Sequence, residues 1–329
     1  MPDRIEALVR STGRRGGGTL VVGLSAGGER TIVRWSPRAR ALPEPPVFEI
    51  GSLTKPLTGA LLADMHLRGE LRLDDPLAAH LPDAAAWPVG EVTLAQLATH
   101  RSGLPNTPRR MLPRELAVLA GIRGRDPWES VGEDDYRALV AGARRRSLGR
   151  RGLRYSSMGF GLLGGALACR AGRPYGELLR ERLLEPLAMQ ATTVHGATSL
   201  PGRSRRGRRR PPMHDRMPAA GGVRSTVPDL LRWLEACLRP PDDPPGPALA
   251  LARRPHASIA RRIELGLGWI VQSPRRRPTT VWHNGLTYGF RSFGAFVPDA
   301  GGAVVALAST TRPLERLGFG LIDVLLEQS

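Results

Sequence analysis

The chain has 329 residues, 41% hydrophobic and 24% charged, a composition of soluble globular proteins at a length where one hydrophobic core stops growing and two lobes are expected. Its longest uncharged apolar run, near Met158 to Cys169, is too short to cross a bilayer, so a span is excluded and no membrane partner is expected. The net charge of +18 invites a nucleic-acid reading, but the arginine runs at Arg144 to Arg146, Arg203 to Arg210 and Arg275 to Arg277 lie in Gly-, Pro- or Ser-rich segments without interleaved aromatics, which is the pattern of solvated loops.

In chain order, the first segment places Ile5, Leu8 and Val9 on one side of a helix. It lacks the apolar core of a secretory leader, which implies a cytoplasmic location. Thr19 to Gly23 and Thr31 to Trp35 read as strands joined by a turn over Ala26 to Glu29. The G-x-S-x-G run from Gly23 to Gly27 therefore spans a hairpin, not the strand-to-helix elbow that would make Ser25 a nucleophile. A short third segment, Val47 to Ile50, precedes a helix that starts near Ser52 and carries Leu57, Ala60, Leu61 and Met65 on one face until Gly69.

From Leu73 to about Pro212 the pattern is mainly helical, clearest over Thr93–Thr99, Glu133–Ala143, Met158–Arg170 and Tyr175–Leu184. A helix over Thr226–Leu238 follows N-cap residues, and the proline-rich run Pro240 to Pro247 reads as irregular. Gly266–Val271, Thr279–His283, Arg291–Val297 and Ala303–Ala308 read as strands, and Pro313–Leu326 as a closing helix. The fold class is α+β: an antiparallel sheet flanked by N- and C-terminal helices, with residues 1–72 and 213–329 in the sheet domain and 73–212 in an inserted helical lobe.

Cys169 and Cys237 lie among small apolar residues on helical stretches, and the seven histidines show no ligand spacing, so neither a metal nor another cofactor is expected. The basic residues are far more telling. Of 48 Lys and Arg, the only lysine is Lys55. Arginine keeps its proton in a protein, whereas a buried lysine can release it, so Lys55 is singled out as a base. Three residues earlier stands Ser52, on the same side of the first helical turn and within hydrogen-bonding reach, the arrangement an activated serine needs. Pro56 is tolerated at such a helix start. Taken alone, the pair is suggestive, the alternative being a capping serine followed by a surface lysine.

Two more segments add to it. Tyr155-Ser156-Ser157 precedes a small-residue helix, and His283-Asn284-Gly285 closes a strand. With Ser52-x-x-Lys55, these resemble the three active-site motifs of the serine β-lactamase-related group, which includes class C β-lactamases, DD-peptidases and family VIII esterases. Leu97 to Pro105 and Ala220 to Thr226 are similar to two further segments of that group, and the order is kept from about Thr19 to Leu326.

The resemblance implies a β-lactamase/transpeptidase-like fold and an acyl-enzyme on Ser52, with Lys55 and Tyr155 sharing the proton transfers. Ser157, His283, Asn284, Gly285 and Leu286 would bind substrate, and the backbone N–H groups of Ser52 and Leu286 would form the oxyanion hole. Ser157 departs from the group, which usually has asparagine there, and a hydroxyl reaches less far than an amide. Hydrolysis of an intracellular ester or amide is therefore expected over β-lactam or peptide cleavage. Acyl transfer in a biosynthetic pathway, an inert scaffold and a basic nucleic-acid binder are the other readings. A small acyl compound is the expected partner, and the sequence says nothing of oligomeric state.

Overall fold

The computed structural model describes residues 2–37, 44–148, 152–194, 196–213 and 216–327; the remaining residues, including both chain ends, lie outside this description. Helix α1 (Pro2–Gly16) buries Ile5 and Val9 and leads into the hairpin β1 (Leu20–Ala26) and β2 (Glu29–Trp35). Ser25 stands opposite Arg30 in that hairpin, as the turn chemistry predicts, with no helix behind it to form a nucleophile elbow. After β3 (Phe48–Glu49), a 3₁₀ turn over Gly51–Leu53 opens α2 (Thr54–Leu67). Pro56 is its third residue, where the backbone nitrogen has no intrahelical acceptor to lose.

Five helices follow, α3 (Leu94–Ala98), α4 (Leu112–Ala120), α5 (Glu133–Ala141), α6 (Ser157–Ala171) and α7 (Tyr175–Leu179), the last extended by a π turn over Arg180–Leu184. Helix α4 is absent from the sequence expectations: its apolar residues face outward and its N-terminal turn holds a proline. Next come α8 (Pro218–Gly221), β4 (Arg224–Ser225), α9 (Val227–Leu238) and α10 (Gly246–Arg253). Helix α10 corrects the reading of Pro240 to Pro247 as wholly irregular. Its first two residues are Gly246 and Pro247, because proline at a helix start costs no hydrogen bond.

The sheet resumes with β5 (Ala257–Ala260), β6 (Ile263–Leu265), β7 (Ile270–Gln272), β8 (Thr280–Leu286), β9 (Arg291–Val297) and β10 (Gly302–Ala308), and α11 (Glu315–Leu326) closes the chain. Strands β5 and β6 are too short to show periodicity and were not expected. The predicted strand Gly266–Val271 shrinks to β7 because Gly268, at φ +81°, turns the chain to donate its N–H to Ala98.

All eight long-sheet strands run antiparallel in the order β2-β1-β10-β9-β8-β7-β6-β5. Alternation along the strands divides the core. Leu20, Val22, Leu24, Val304 and Ala306 pack with Ile5, Val9, Leu321 and Leu325 of the terminal helices. Val21, Val305, Leu307 and Phe296 face the other way, into the cluster containing Leu231 and Leu234 of α9 and Leu57 and Leu61 of α2. That second layer carries α2 against the sheet, so the start of α2 meets β8.

Candidate active site

Ser52 lies in the 3₁₀ turn where the β3/β4 ribbon hands over to α2. The turn is held from both sides: Ile50 donates its N–H to Val223, and the Ile50 carbonyl accepts from Ser292 Oγ at 2.6 Å. Gly51 has φ +51°, and a methyl group there would stand 2.9 Å from the Leu286 nitrogen and carbonyl oxygen. Only glycine fits this approach of turn to strand, which brings the backbone of Leu286 beside that of Ser52.

One turn into α2, Lys55 is fully buried. Its Nζ lies 2.9 Å from Ser52 Oγ, 2.7 Å from the Ala220 carbonyl and 3.3 Å from Ser157 Oγ. Burial pulls its pKa from 10.5 to about 7, because no carboxylate offsets the cost of carrying charge out of water. The rings of Tyr155 and Phe160, 5.0 and 5.6 Å from Nζ, offer the ammonium form partial compensation. When the amine is neutral, two N–H groups serve Ala220 and Ser157, and the lone pair accepts the Ser52 hydroxyl proton.

Tyr155 reaches Ser52 from the start of α6 and shares a side-chain hydrogen bond with it. Its residue surface is 40% exposed, but the hydroxyl end is packed in, and burial there pushes the phenol up to about 12, with the Ser52 bond acting in the opposite direction. At neutral pH Tyr155 is therefore a phenol that can give a proton.

A loop ahead of α6 fixes this approach. Ser156 caps the helix by accepting from Gly159 N and donates to the Pro105 carbonyl at 2.7 Å. Asn106 Oδ1 accepts from Ser157 N at 3.0 Å, and its carbonyl accepts from Met158 N. His100, at φ +55°, lays its ring 4.3 Å from that of Tyr155 and accepts from Ser156 N through Nδ1. Its proton therefore sits on Nε2, which is buried without a hydrogen-bond partner. Burial and the adjacent Lys55 hold His100 well below the usual histidine range.

Strand β8 supplies the third side. His283 is buried, with its ring 6.5 Å from that of Tyr155 and Nδ1–H donating to the Asn284 carbonyl at 2.6 Å. Burial, then Lys55, lowers its pKa to about 3, so it is a neutral imidazole. Like Lys55 and Tyr155, it lies beside the cleft and does not line it. Asn284 departs from the sequence expectation of substrate contact: its Nδ2 donates to Glu315 of α11, on the opposite face of the sheet. Successive strand residues point to opposite faces, so His283 and Gly285 face the site and Asn284 cannot. Gly285 permits the close approach, since a methyl there would meet the Ile50 carbonyl at 2.0 Å.

Ser52, Ser157 and Leu286 line a cleft of about 190 Å³ whose wall also includes Glu115, Trp128 and Tyr288. Glu115 accepts from Trp128 Nε1 at 2.6 Å and Thr107 Oγ1 at 2.8 Å, and burial raises its carboxyl pKa despite both bonds. A larger depression of about 940 Å³, lined by Asp126, Arg209 and Arg224 among others, contains none of Ser52, Lys55 and Tyr155, whereas the smaller cleft is lined by Ser52. Among the described residues no group of three or more His, Cys, Asp or Glu side chains is placed to hold a metal ion.

Sequence reasoning names Ser52, Lys55, Tyr155, Ser157, His283, Gly285 and Leu286, which the fold brings together, and Asn284, whose side chain turns to Glu315 on the other face. It misses the roles of Asn106, His100 and the Ala220 carbonyl. Two of these, His100 and Ala220, lie inside segments whose motif similarity was visible. Glu115, Trp128 and Tyr288 give no local signal, because each comes from a different element.

A serine, a buried lysine and a tyrosine on one hydroxyl, beside paired backbone amides, define a serine hydrolase site. The chain belongs to the beta-lactamase family, whose model matches residues 3–326. It is 30% identical over 307 residues to the D-alanyl-D-alanine-carboxypeptidase/endopeptidase AmpH of Escherichia coli K12, covering 86% of this chain and 76% of that protein. A beta-lactamase of the same organism is 25% identical, with 81% and 76% covered. The beta-lactamase/D-alanine carboxypeptidase of Pseudomonas syringae superposes with a TM-score of 0.82 at 18% identity over 99% of this chain and 98% of that one, a likeness of fold. Among the described residues no helix is long and apolar enough to cross a membrane.

Proposed function

We propose that this serine hydrolase cleaves an ester, or an amide without a bulky acylamino side chain, through an acyl-enzyme on Ser52. Neutral Lys55 takes the Ser52 hydroxyl proton as Oγ bonds to the acyl carbon. The carbonyl oxygen, now an oxyanion, is met by the N–H groups of Ser52 and Leu286. The tetrahedral carbon then expels its alkoxide or amine, which takes a proton from Tyr155, and Lys55 returns a proton to Tyr155. Water repeats the sequence in reverse order and releases the acid. His283, neutral and with its ring 6.5 Å from that of Tyr155, adds no charge to the site.

The observation that carries this reading is the 2.9 Å contact of Ser52 Oγ with a lysine whose burial holds it near neutrality. The preference for esters rests on Ser157, whose hydroxyl is already engaged with Lys55 Nζ at 3.3 Å where the family usually offers an amide to substrate. A cytoplasmic site of action goes with the reading and is checked by cell fractionation of an epitope-tagged chain. Intact-protein mass spectrometry after p-nitrophenyl butyrate, nitrocefin and a fluorophosphonate, wild type beside Ser52→Ala, tests the chemistry. An adduct on wild type alone, with butyrate turned over faster than nitrocefin, is the expected result. Labelling that survives Ser52→Ala overturns the nucleophile. Turnover that appears only when an alcohol or amine acceptor is added identifies acyl transfer from the same intermediate.

A further inference from the structure

Nine large apolar side chains are exposed among the described residues, and four of them, Leu112, Leu116, Leu119 and Ile122, fall on α4 and the turn after it. Leu112, Leu116 and Leu119 recur at i, i+4 and i+7 and form one outward stripe. Ile122 extends it and is 81% exposed. The orientation of the stripe is fixed from its cleft-side flank: Val118 is buried, and Glu115, one turn from both Leu112 and Leu119, is bonded to Trp128 and Thr107. Arg109, Arg110 and Arg114 stand exposed at the beginning of the helix, and Arg123 and Arg125 just beyond its end. The only acidic residue between 109 and 125 is the inward-facing Glu115. Arg210 of the arginine-rich loop joins the same surface by donating to the Leu119 carbonyl at 3.2 Å.

From this we infer that the outer face of α4 docks on an anionic lipid surface and sets the mouth of the active-site cleft against it. An apolar stripe bounded at both ends by arginines is the make-up of a helix that lies in a membrane interface: the leucines enter the acyl boundary while guanidinium groups stay at the phosphates. Leu112, Leu116 and Ile122 stand exposed to solvent, which suits contact with an extended surface. The face is also continuous with the site, since Leu119 and Leu286 both line the cleft and both are exposed. Docking of this kind lies on a membrane without crossing it, so it is compatible with the short apolar runs of the sequence, although it reverses the expectation of no membrane partner. It does not depend on the acyl chemistry assigned to Ser52.

Co-sedimentation of the full chain with phosphatidylcholine/phosphatidylglycerol vesicles (7:3) at 0.15 M salt tests it. Because the whole chain is basic, the decisive variant leaves charge unchanged. Leu116→Ser/Ile122→Ser lowers the partition coefficient by roughly tenfold or more, whereas Ile32→Ser/Leu67→Ser, also at exposed positions, leaves it unaltered. Arg109→Gln/Arg110→Gln/Arg123→Gln lowers it roughly a hundredfold, well beyond Arg254→Gln/Arg261→Gln/Arg276→Gln. Circular dichroism and butyrate turnover matching wild type show that each variant is folded. Equal losses from the paired sets, or no sedimentation of wild type, overturn the inference. So does unchanged vesicle binding of Leu116→Ser/Ile122→Ser with a raised KM for a monomeric dodecanoyl ester, which reassigns the stripe to substrate.

Discussion

Gly51 and Leu286 touch backbone to backbone: a methyl group on Gly51 would come within 2.9 Å of both the nitrogen and the carbonyl oxygen of Leu286. The contact joins the turn that holds Ser52 to the strand that ends in Leu286, and it sets the spacing of the two N–H groups assigned to the oxyanion. Gly51→Ala must push them apart and strain a backbone at φ +51°. We expect acyl-enzyme formation to slow by about 100-fold or more, with fluorophosphonate labelling of Ser52 reduced in parallel. Normal kinetics in this variant would show that the two amides do not work together.

The low pKa of Lys55 has two pH signatures. Deprotonation through about pH 7 creates the base, so kcat/KM for a neutral ester rises to a plateau across that value. Tyr155, pushed up to about 12, adds no falling limb below pH 10. Stability moves in the same direction: between about 7 and 10.5 the unfolded chain carries a proton on Lys55 that the folded chain lacks. Unfolding free energy therefore gains about 1.4 kcal/mol per pH unit from this group as pH rises. Below pH 7 the gain is absent. Denaturant titrations of wild type and Lys55→Met across this range give the difference directly, and parallel curves would refute the assignment.

Ser157→Asn restores the amide that the family usually presents. Its carbonyl can still accept from Lys55, and its NH₂ becomes free for the substrate. The ratio of nitrocefin to butyrate turnover should rise by about fivefold or more, the worth of one neutral hydrogen bond. An unchanged ratio would place the discrimination elsewhere in the cleft, on the wall formed by Glu115 and Trp128.

On β8 the neighbours Asn284 and Gly285 should respond in opposite ways. Asn284→Ala removes a bond to Glu315 on the far face and is expected to cost about 1 kcal/mol of stability while kcat/KM stays within about twofold of wild type. Gly285→Ala drives a methyl into the Ile50 carbonyl and should abolish activity. Thermal melts beside ester kinetics separate the two. A large kinetic defect in Asn284→Ala alone would return that side chain to the site.

Asn106 controls the other approach. Without its side chain Ser157 N loses its acceptor, and the start of α6 loosens where Tyr155 leaves it. Asn106→Ala should lower stability by about 1 kcal/mol, the usual cost of a lost cap, and reduce kcat more than it changes KM. A change in KM alone would make Asn106 a substrate contact and not a support.

The parts of the site that were legible beforehand are those encoded by type and short spacing: Ser52 with Lys55, then Tyr155 and His283. Long periodic elements such as α1, β9 and α9 were equally readable, because a buried face repeats several times within each. Strands β5 and β6 offer four and three residues, too few for a period to appear. Helix α4 inverted the usual cue by exposing its leucines. Asn284 was named by following a motif past the alternation of its own strand, which turns the side chain to Glu315 and away from Ser52. The Ala220 carbonyl and the Glu115 wall depend on tertiary closure, and backbone oxygens carry no residue-type signature.

The sole lysine of the chain is also one of its most deeply enclosed polar side chains, with Nζ facing three oxygens and two rings. Amine-directed chemistry therefore finds, apart from the α-amino group, a single target that appears only when the molecule opens. Acetylation or a succinimidyl tag on Lys55 would count opening events of the catalytic core, and surface marking through lysine, such as ubiquitin-type attachment, has nowhere to begin on the closed fold.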